Sequence, residues 1–126
     1  MLLVGLGGAI GSILRFLTSI VATQWFGPEF PYGTLIVNLS GAFIIGLVQQ
    51  VGGEALLISD NVRLFLTTGM MGGLTTYSAF SYETVRLMEN NAWHQAWINI
   101  FVTKTISLSL CFLGIAVGRL VLSLRG

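Results

Sequence analysis

The chain has 126 residues, of which 54% are hydrophobic and only 9% are charged, and its mean hydropathy is +0.84. Globular proteins carry roughly 25% charged residues, so this composition excludes an ordinary soluble domain. Six Lys and Arg against five Asp and Glu give a net charge of +1, which offers no basic surface and excludes a nucleic acid as partner.

Charged residues are scarce enough to divide the chain into four apolar stretches, each of which reaches the roughly 20 residues that cross a bilayer. They predict an all-α membrane protein of one domain, residues 1–126, with helices over residues 2–26, 33–52, 62–88 and 94–123. Because the first stretch has no basic region before its apolar part, we expect a membrane span there rather than a cleaved leader. The connecting loops leave no room for a soluble domain, so the chain is expected to act within the bilayer, surrounded by lipid.

Polar residues inside the first two helices are informative because hydrocarbon does not satisfy their hydrogen bonds. Arg15 either extends to the membrane interface or raises the electrostatic potential of an aqueous vestibule for anions. Thr34 and Asn38 are four residues apart and therefore share one helix face. Asn38 either bonds a neighbouring helix or presents its amide N–H groups to an anion.

The third helix contains a run of Gly, Thr and Ser residues, whose low helix propensity disfavours a continuous helix. Gly72 and Gly73, followed by the β-branched Thr75 and Thr76, predict an interruption near the middle of the bilayer. The carbonyl groups that an interruption frees either hold a cation, or the small residues serve a tight crossing of two helices. Beyond the interruption, two rings and a carboxylate follow at a spacing of three residues: Tyr77, Phe80 and Glu83.

A polar stripe follows one face of the fourth helix. Asn99, Thr103 and Ser107 recur every four residues and lead to the single cysteine, Cys111. Hydroxyl groups in membrane helices often bond the backbone of their own helix, so the stripe indicates either a lined pathway or a set of such local bonds. Lys104, next to Thr103, lies near the middle of the helix, where it requires a hydrated pocket or else extends to the interface.

The few basic residues near the helix ends favour an N-terminus inside the cell. Arg63, Arg119 and Arg125 fall on the side of the N-terminus, against Arg86 alone on the other side. So small a difference also allows insertion in both orientations. Since four helices are few for enclosing an aqueous path, we expect a homo-oligomer, of which a dimer is the smallest.

Three motifs in these helices resemble those of the Fluc (CrcB) family of bacterial fluoride channels, and the match covers nearly the whole chain. They are GGAIGSILRF at residues 7–16, GTLIVN at residues 33–38 and GGLTTYSAFSYE at residues 72–83, the last being the most specific. The resemblance implies an antiparallel, dual-topology homodimer in the bacterial inner membrane with the third helix broken. It also implies a passive channel, not an enzyme, that exports fluoride through two pores and holds one structural sodium ion at the dimer centre.

The resemblance also assigns roles to single residues. It implies that the backbone carbonyls of Gly72 and Thr75 hold the sodium ion, that Tyr77 and Phe80 supply the pore rings and that Asn38 supplies the pore amide. Further polar positions of the fluoride pore are Thr34, Ser78, Glu83 and Ser107, to which the stripe adds Thr103, while Arg15 and Lys104 are candidate vestibule charges.

Three residues depart from the family pattern. Tyr77 stands where phenylalanine is usual, Ala79 where a hydroxyl residue is usual, and Lys104 is not a family feature.

A fluoride pore must replace the strong hydration of a small anion with hydrogen-bond donors. The expected donors are the amide of Asn38, the hydroxyls of Ser78 and Ser107, and the electropositive edges of aromatic rings. Two other functions are consistent with four short helices. A small multidrug exporter needs a carboxylate within the membrane, and the first two spans contain none, which leaves Glu83. A non-transporting assembly subunit needs no pore residue at all.

Overall fold

The computed structural model describes residues 1–55 and 59–125, which are helical apart from short connections and contain no strand. Two long helices come first, α1 (Leu2–Phe26) and α2 (Tyr32–Ala55). They are followed by α3 (Asp60–Leu64), the π-helical segment π1 (Phe65–Met71), α4 (Gly72–Leu74) and α5 (Tyr77–Glu89). The chain ends in α6 (Trp93–Phe101), the π-helical segment π2 (Val102–Ile106) and α7 (Ser107–Arg125).

Three stretches of helix are long and apolar enough to cross a membrane: Leu2–Phe26, Tyr32–Gly52 and Trp93–Leu124. These helices confirm the prediction of an all-helical membrane protein. The range predicted for the third span, 62–88, is not among them, because an interruption leaves α5, with 13 residues, as its longest α-helical piece. The predicted domain also includes residues 56–58 and 126, which lie outside the described residues, as does the side chain of Arg125.

The interruption of the third helix lies at Thr75 and Thr76, not at the glycines that precede them. Thr75 (φ −82°, ψ 154°) and Thr76 (φ −152°, ψ 125°) are extended, whereas Gly72 is helical (φ −61°, ψ −38°). β-Branched residues favour the extended conformation. Gly73 serves a different purpose, because a Cβ atom there would collide with the backbone of Gly8 on α1. The prediction that the helix opens at Gly72 and Gly73 is therefore wrong by about one helical turn.

Glycines let the helices pack backbone against backbone. On α1, Gly7 and Gly11 face the backbone of π1 around Met70, so that even a methyl group at either position would overlap it. Gly46 of α2 and Gly114 of α7 do the same for α2 and α7, the two helices with the most extensive contact among the described residues. Membrane helices associate through such close contacts because lipid provides no hydrophobic driving force between them.

Helix α2 is central, since it contacts α1, α5 and α7 as well as the interrupted segment. Its Val37 is 2% exposed and packs with Met71 and Leu74, which lie directly before the interruption. This apolar cluster fixes the rotation of α2 and thereby places the neighbouring Asn38 against the two extended residues.

Candidate functional site

Asn38 joins α2 to the interruption through both ends of its amide. Its Oδ1 accepts a hydrogen bond from the Thr76 N–H (2.8 Å), and its Nδ2 donates to the Thr76 carbonyl oxygen (3.0 Å). The amide thus replaces the backbone partners that Thr76 lost when it left the helix. Of the two roles that the sequence allows for Asn38, the structure therefore shows the first, a hydrogen bond to a neighbouring helix. One N–H of Nδ2 remains for a further acceptor, so its role toward an anion stays a prediction.

The carbonyl groups on either side of the interruption are unequally satisfied. Arg15 donates from Nε to the Gly73 oxygen (3.1 Å), so it is held at the interruption and does not extend to the interface. Within residues 1–55 and 59–125, no hydrogen-bond donor reaches the carbonyl oxygen of Thr75, which lies outside the helices. A carbonyl oxygen without a donor at this depth fits a cation, the role that the resemblance implies for Thr75 together with Gly72.

An open pocket of about 490 Å³ lies beside the extended residues. It brings together residues predicted separately from three helices, together with two residues that were not predicted. The lining consists of Asn38, Thr75, Thr76, Tyr77, Phe80, Thr103, Lys104, Ser107 and Leu108. Polar groups from α2, π2 and α7 therefore face two aromatic rings from α5. Gly72, Arg15 and Ser78 lie outside the lining, and Ser78 Oγ is 3.3 Å from Thr76 Oγ1.

Two rings and a cation lie close together in the lining of the pocket. The ring centroids of Tyr77 and Phe80 are 5.7 Å apart with their planes tilted by 52°. Lys104 Nζ lies over both rings, 4.9 Å from the Tyr77 centroid and 5.8 Å from that of Phe80. The cation takes the electron-rich faces of the rings and leaves their electropositive edges for other contacts. Phe80 is 5% exposed, whereas Tyr77 is 68% exposed.

Thr34 and Glu83 form a separate polar link at one end of the same helices. The Thr34 hydroxyl donates to Glu83 Oε1 (2.5 Å) beside a small cavity of about 110 Å³ under the loop between α1 and α2. Thr34 and Asn38 share one face of α2, as their spacing predicts, and each bonds the second half of the third helix. Neither Thr34 nor Glu83 lines the larger pocket.

The polar stripe of the last helix has two roles: some of its side chains form hydrogen bonds with other side chains, and some line the pocket. Asn99, 2% exposed, donates from Nδ2 to Thr84 Oγ1 (2.9 Å) and accepts from the Thr103 hydroxyl (3.4 Å). Thr84 in turn donates to the Phe80 carbonyl oxygen (2.7 Å). Only Thr103 and Ser107 of the stripe reach the pocket.

Two features of this region were missed by sequence reasoning. Thr84 was not singled out, although its position four residues after Phe80 places it on the same helix face as that ring. The π-helical turn of π2 gives no recognisable sequence signal, yet it contains Thr103 and Lys104. Such turns occur frequently at functional sites.

The chain is similar to known proteins over most of its length. A family model described as "CrcB-like protein, Camphor Resistance (CrcB)" matches residues 2–115, which include every residue that lines the pocket. A relative from Clostridium perfringens (strain 13 / Type A) is 47% identical over 94% of this chain and 93% of its own length. A relative from Sorangium cellulosum is 45% identical over 92% of this chain and 91% of its own length. A relative from Shewanella frigidimarina is 44% identical over 90% of this chain and 90% of its own length. All three carry the name "Fluoride-specific ion channel FluC".

Proposed function

Because the chain belongs to the CrcB family, we propose that it is a fluoride-selective passive ion channel that exports fluoride from the cytoplasm. It is a multi-pass protein of the bacterial cell membrane and not an enzyme, since its named relatives are ion channels. The observation that carries the proposal is the pocket in which the Asn38 amide, the Ser107 hydroxyl and two aromatic rings meet at an interrupted helix.

The pocket supplies the donors that a dehydrated fluoride ion needs. Asn38 keeps one amide N–H free of the bonds to Thr76. Ser107 has no hydrogen-bond partner among the described residues, and α5 begins at the pocket, so the positive end of its helix dipole favours an anion there. The ring edges of Tyr77 and Phe80 add weak donors. Weak donors permit release as well as entry, and conduction requires that balance.

We propose that the channel is a homodimer whose two subunits are antiparallel, with dual topology. Support comes from what one subunit leaves open: Tyr77, Gly72 and Lys104 are all exposed near the middle of the membrane. A lysine facing lipid at that depth costs about 3 kcal/mol on insertion scales. A second copy that covers this side removes the cost and closes the pocket. The near neutrality of the chain supports insertion in both orientations.

A structural sodium ion at the dimer centre is part of the proposal. The carbonyl oxygens of Gly72 and Thr75 would hold it, and the lack of a hydrogen-bond donor to the Thr75 oxygen among the described residues supports this. When bound, the ion would supply positive electrostatic potential close to the anion path. The neighbouring carbonyl oxygens, those of Gly73 and Thr76, already accept hydrogen bonds from Arg15 and Asn38. Gly73 and Thr76 are therefore not part of the proposed cation site.

Efflux from liposomes tests the function directly. Purified protein is reconstituted into vesicles loaded with potassium fluoride or potassium chloride, and valinomycin removes the voltage without any pH gradient. We expect fluoride release, followed with a fluoride electrode, and no chloride release. Release of both anions at equal rates contradicts the selectivity, and no release contradicts the channel. Protein-free vesicles and the Ser109→Ala variant serve as controls, because the Ser109 hydroxyl bonds Thr105 outside the pocket.

The multidrug exporter has less support. Its mechanism needs a carboxylate in the substrate pocket, and the pocket lining contains no Asp or Glu. Glu83 is bonded to Thr34 at a different cavity.

A further inference from the structure

Lys104 is a cation in the middle of a predicted membrane span without a carboxylate to balance it. Within the described residues, Lys104 forms neither a salt bridge nor a hydrogen bond, and the one salt bridge there joins Arg63 to Asp60. Its ammonium group instead lies over the rings of Tyr77 and Phe80. These contacts hold the group at the pocket but do not neutralise its charge.

The backbone explains why the side chain turns to the pocket and does not extend along the helix. Lys104 lies in the π-helical segment π2, between Thr103 and Thr105. In a regular α-helix, adjacent residues point about 100° apart. The wider π turn reduces that angle, and both Thr103 and Lys104 line the same pocket.

The remaining lining defines what can balance the charge. Asn38, Thr103 and Ser107 contribute neutral amide and hydroxyl groups, and the rings present electropositive edges. None of these groups is an anion. The counter-ion of Lys104 must therefore come from outside this subunit, and an anion that enters the pocket from solution is one source.

We propose that Lys104 is an additional binding group for the permeating anion and is held in place by Tyr77. It lowers the fluoride concentration at which the channel is half-saturated. The proposal rests on the channel function proposed above and adds a specificity-determining residue to it. An ammonium donor forms stronger hydrogen bonds to an anion than the neutral donors around it. Tyr77 keeps the ammonium over its ring face and so limits how far the group moves from the anion.

The test compares fluoride transport by the wild-type chain and Lys104→Gln over a range of fluoride concentrations. Fluoride currents across planar bilayers give the half-saturating concentration and the maximal current separately. We expect Lys104→Gln to raise the half-saturating concentration by about tenfold or more, the effect of losing one hydrogen bond from a charged donor. Lys104→Arg keeps the charge and is expected to remain within a few-fold of the wild type. A purely structural role predicts a lower maximal current with an unchanged half-saturating concentration, which would overturn the proposal.

Two further arms separate the possible failures. Thr105→Val alters the adjacent residue, which does not line the pocket, and should leave the half-saturating concentration unchanged. The comparison is made in bilayers of zwitterionic lipid and in bilayers that contain anionic lipid. A shift confined to anionic bilayers means that Lys104 binds lipid phosphate, and this contradicts the proposal. If the wild-type chain carries no fluoride current, the channel function itself fails, whereas equal values for wild type and Lys104→Gln reject only the role of Lys104.

Discussion

The side chain of Asn38 completes the backbone hydrogen bonding of Thr76, accepting from its N–H at 2.8 Å and donating to its carbonyl oxygen at 3.0 Å. A residue that leaves a helix inside a membrane must find other partners, because lipid offers none. The conformation of the third helix therefore depends on a side chain of α2, and the pocket beside Thr76 depends on it too.

Asn38→Ala is expected to destabilise the interruption and abolish fluoride transport. It leaves the N–H and the carbonyl group of Thr76 unpaired, at a cost of about 1–3 kcal/mol for each buried group. The melting temperature of the purified protein, followed by loss of the size-exclusion peak, measures the stability, and liposome efflux measures the transport. Ser40→Ala is the matched control, because Ser40 lies on the same helix, is exposed and forms no hydrogen bond within the described residues. An Asn38→Ala protein as stable as this control contradicts the prediction.

The position of the interruption shows what the sequence can and cannot predict. Adjacent small and β-branched residues correctly indicate that the third helix does not continue. The exact site depends on packing, because the backbone of Gly8 excludes any side chain at Gly73 and so keeps that glycine for the helix contact. Thr75 and Thr76 lie beyond this contact and are free to extend. Whether the helix opens at Gly72 and Gly73 or at Thr75 and Thr76 therefore depends on where α1 lies in the fold.

Hydrogen-bond partners on different helices are harder to predict than the helices themselves. The long apolar runs determine where the helices lie, and the spacing of Thr34 and Asn38 determines their common face. The pairing of Asn99 with Thr84 depends on how α5 and α6 rotate against each other after a short turn. Likewise, the sequence places Lys104 near the middle of its helix, but the π turn directs it to the pocket.

Thr84→Val is expected to destabilise the protein by about 1–2 kcal/mol without changing its preference for fluoride over chloride. Valine keeps the shape of threonine, but the Asn99 amide then loses its acceptor in a buried site, where an unpaired donor is costly. Thermal melting of Thr84→Val, Asn99→Ala and the double variant gives a double-mutant cycle. Because the two side chains contact each other, the double variant should be less destabilised than the sum of the single variants. Additive effects would show that the bond contributes nothing.

Removal of sodium is expected to lower both the stability of the dimer and the rate of fluoride efflux. The carbonyl oxygens of Gly72 and Thr75 would lose the partner proposed for them, and the positive potential near the pocket would fall. The protein is exchanged into potassium buffer of equal ionic strength until atomic emission detects no bound sodium, and it is then tested in liposomes. Adding sodium back should restore efflux, whereas additional potassium should not. Full activity in protein that is free of sodium by atomic emission argues against the site.

Gly114→Ala is expected to destabilise the pairing of α2 with α7 by about 1–3 kcal/mol, the usual cost of overpacking. A Cβ atom at Gly114 would overlap the carbonyl oxygen of Phe43, and backbone atoms cannot move aside as a flexible side chain can. Gly5→Ala is the matched control, because a Cβ atom there meets no atom within 4 Å and alanine favours the helix over glycine by about 1 kcal/mol. Thermal melting should therefore place Gly114→Ala below the wild type and Gly5→Ala at or above it. The reverse order would mean that the two helices separate enough to admit a methyl group, and the close packing of α2 on α7 would then not determine the stability of the fold.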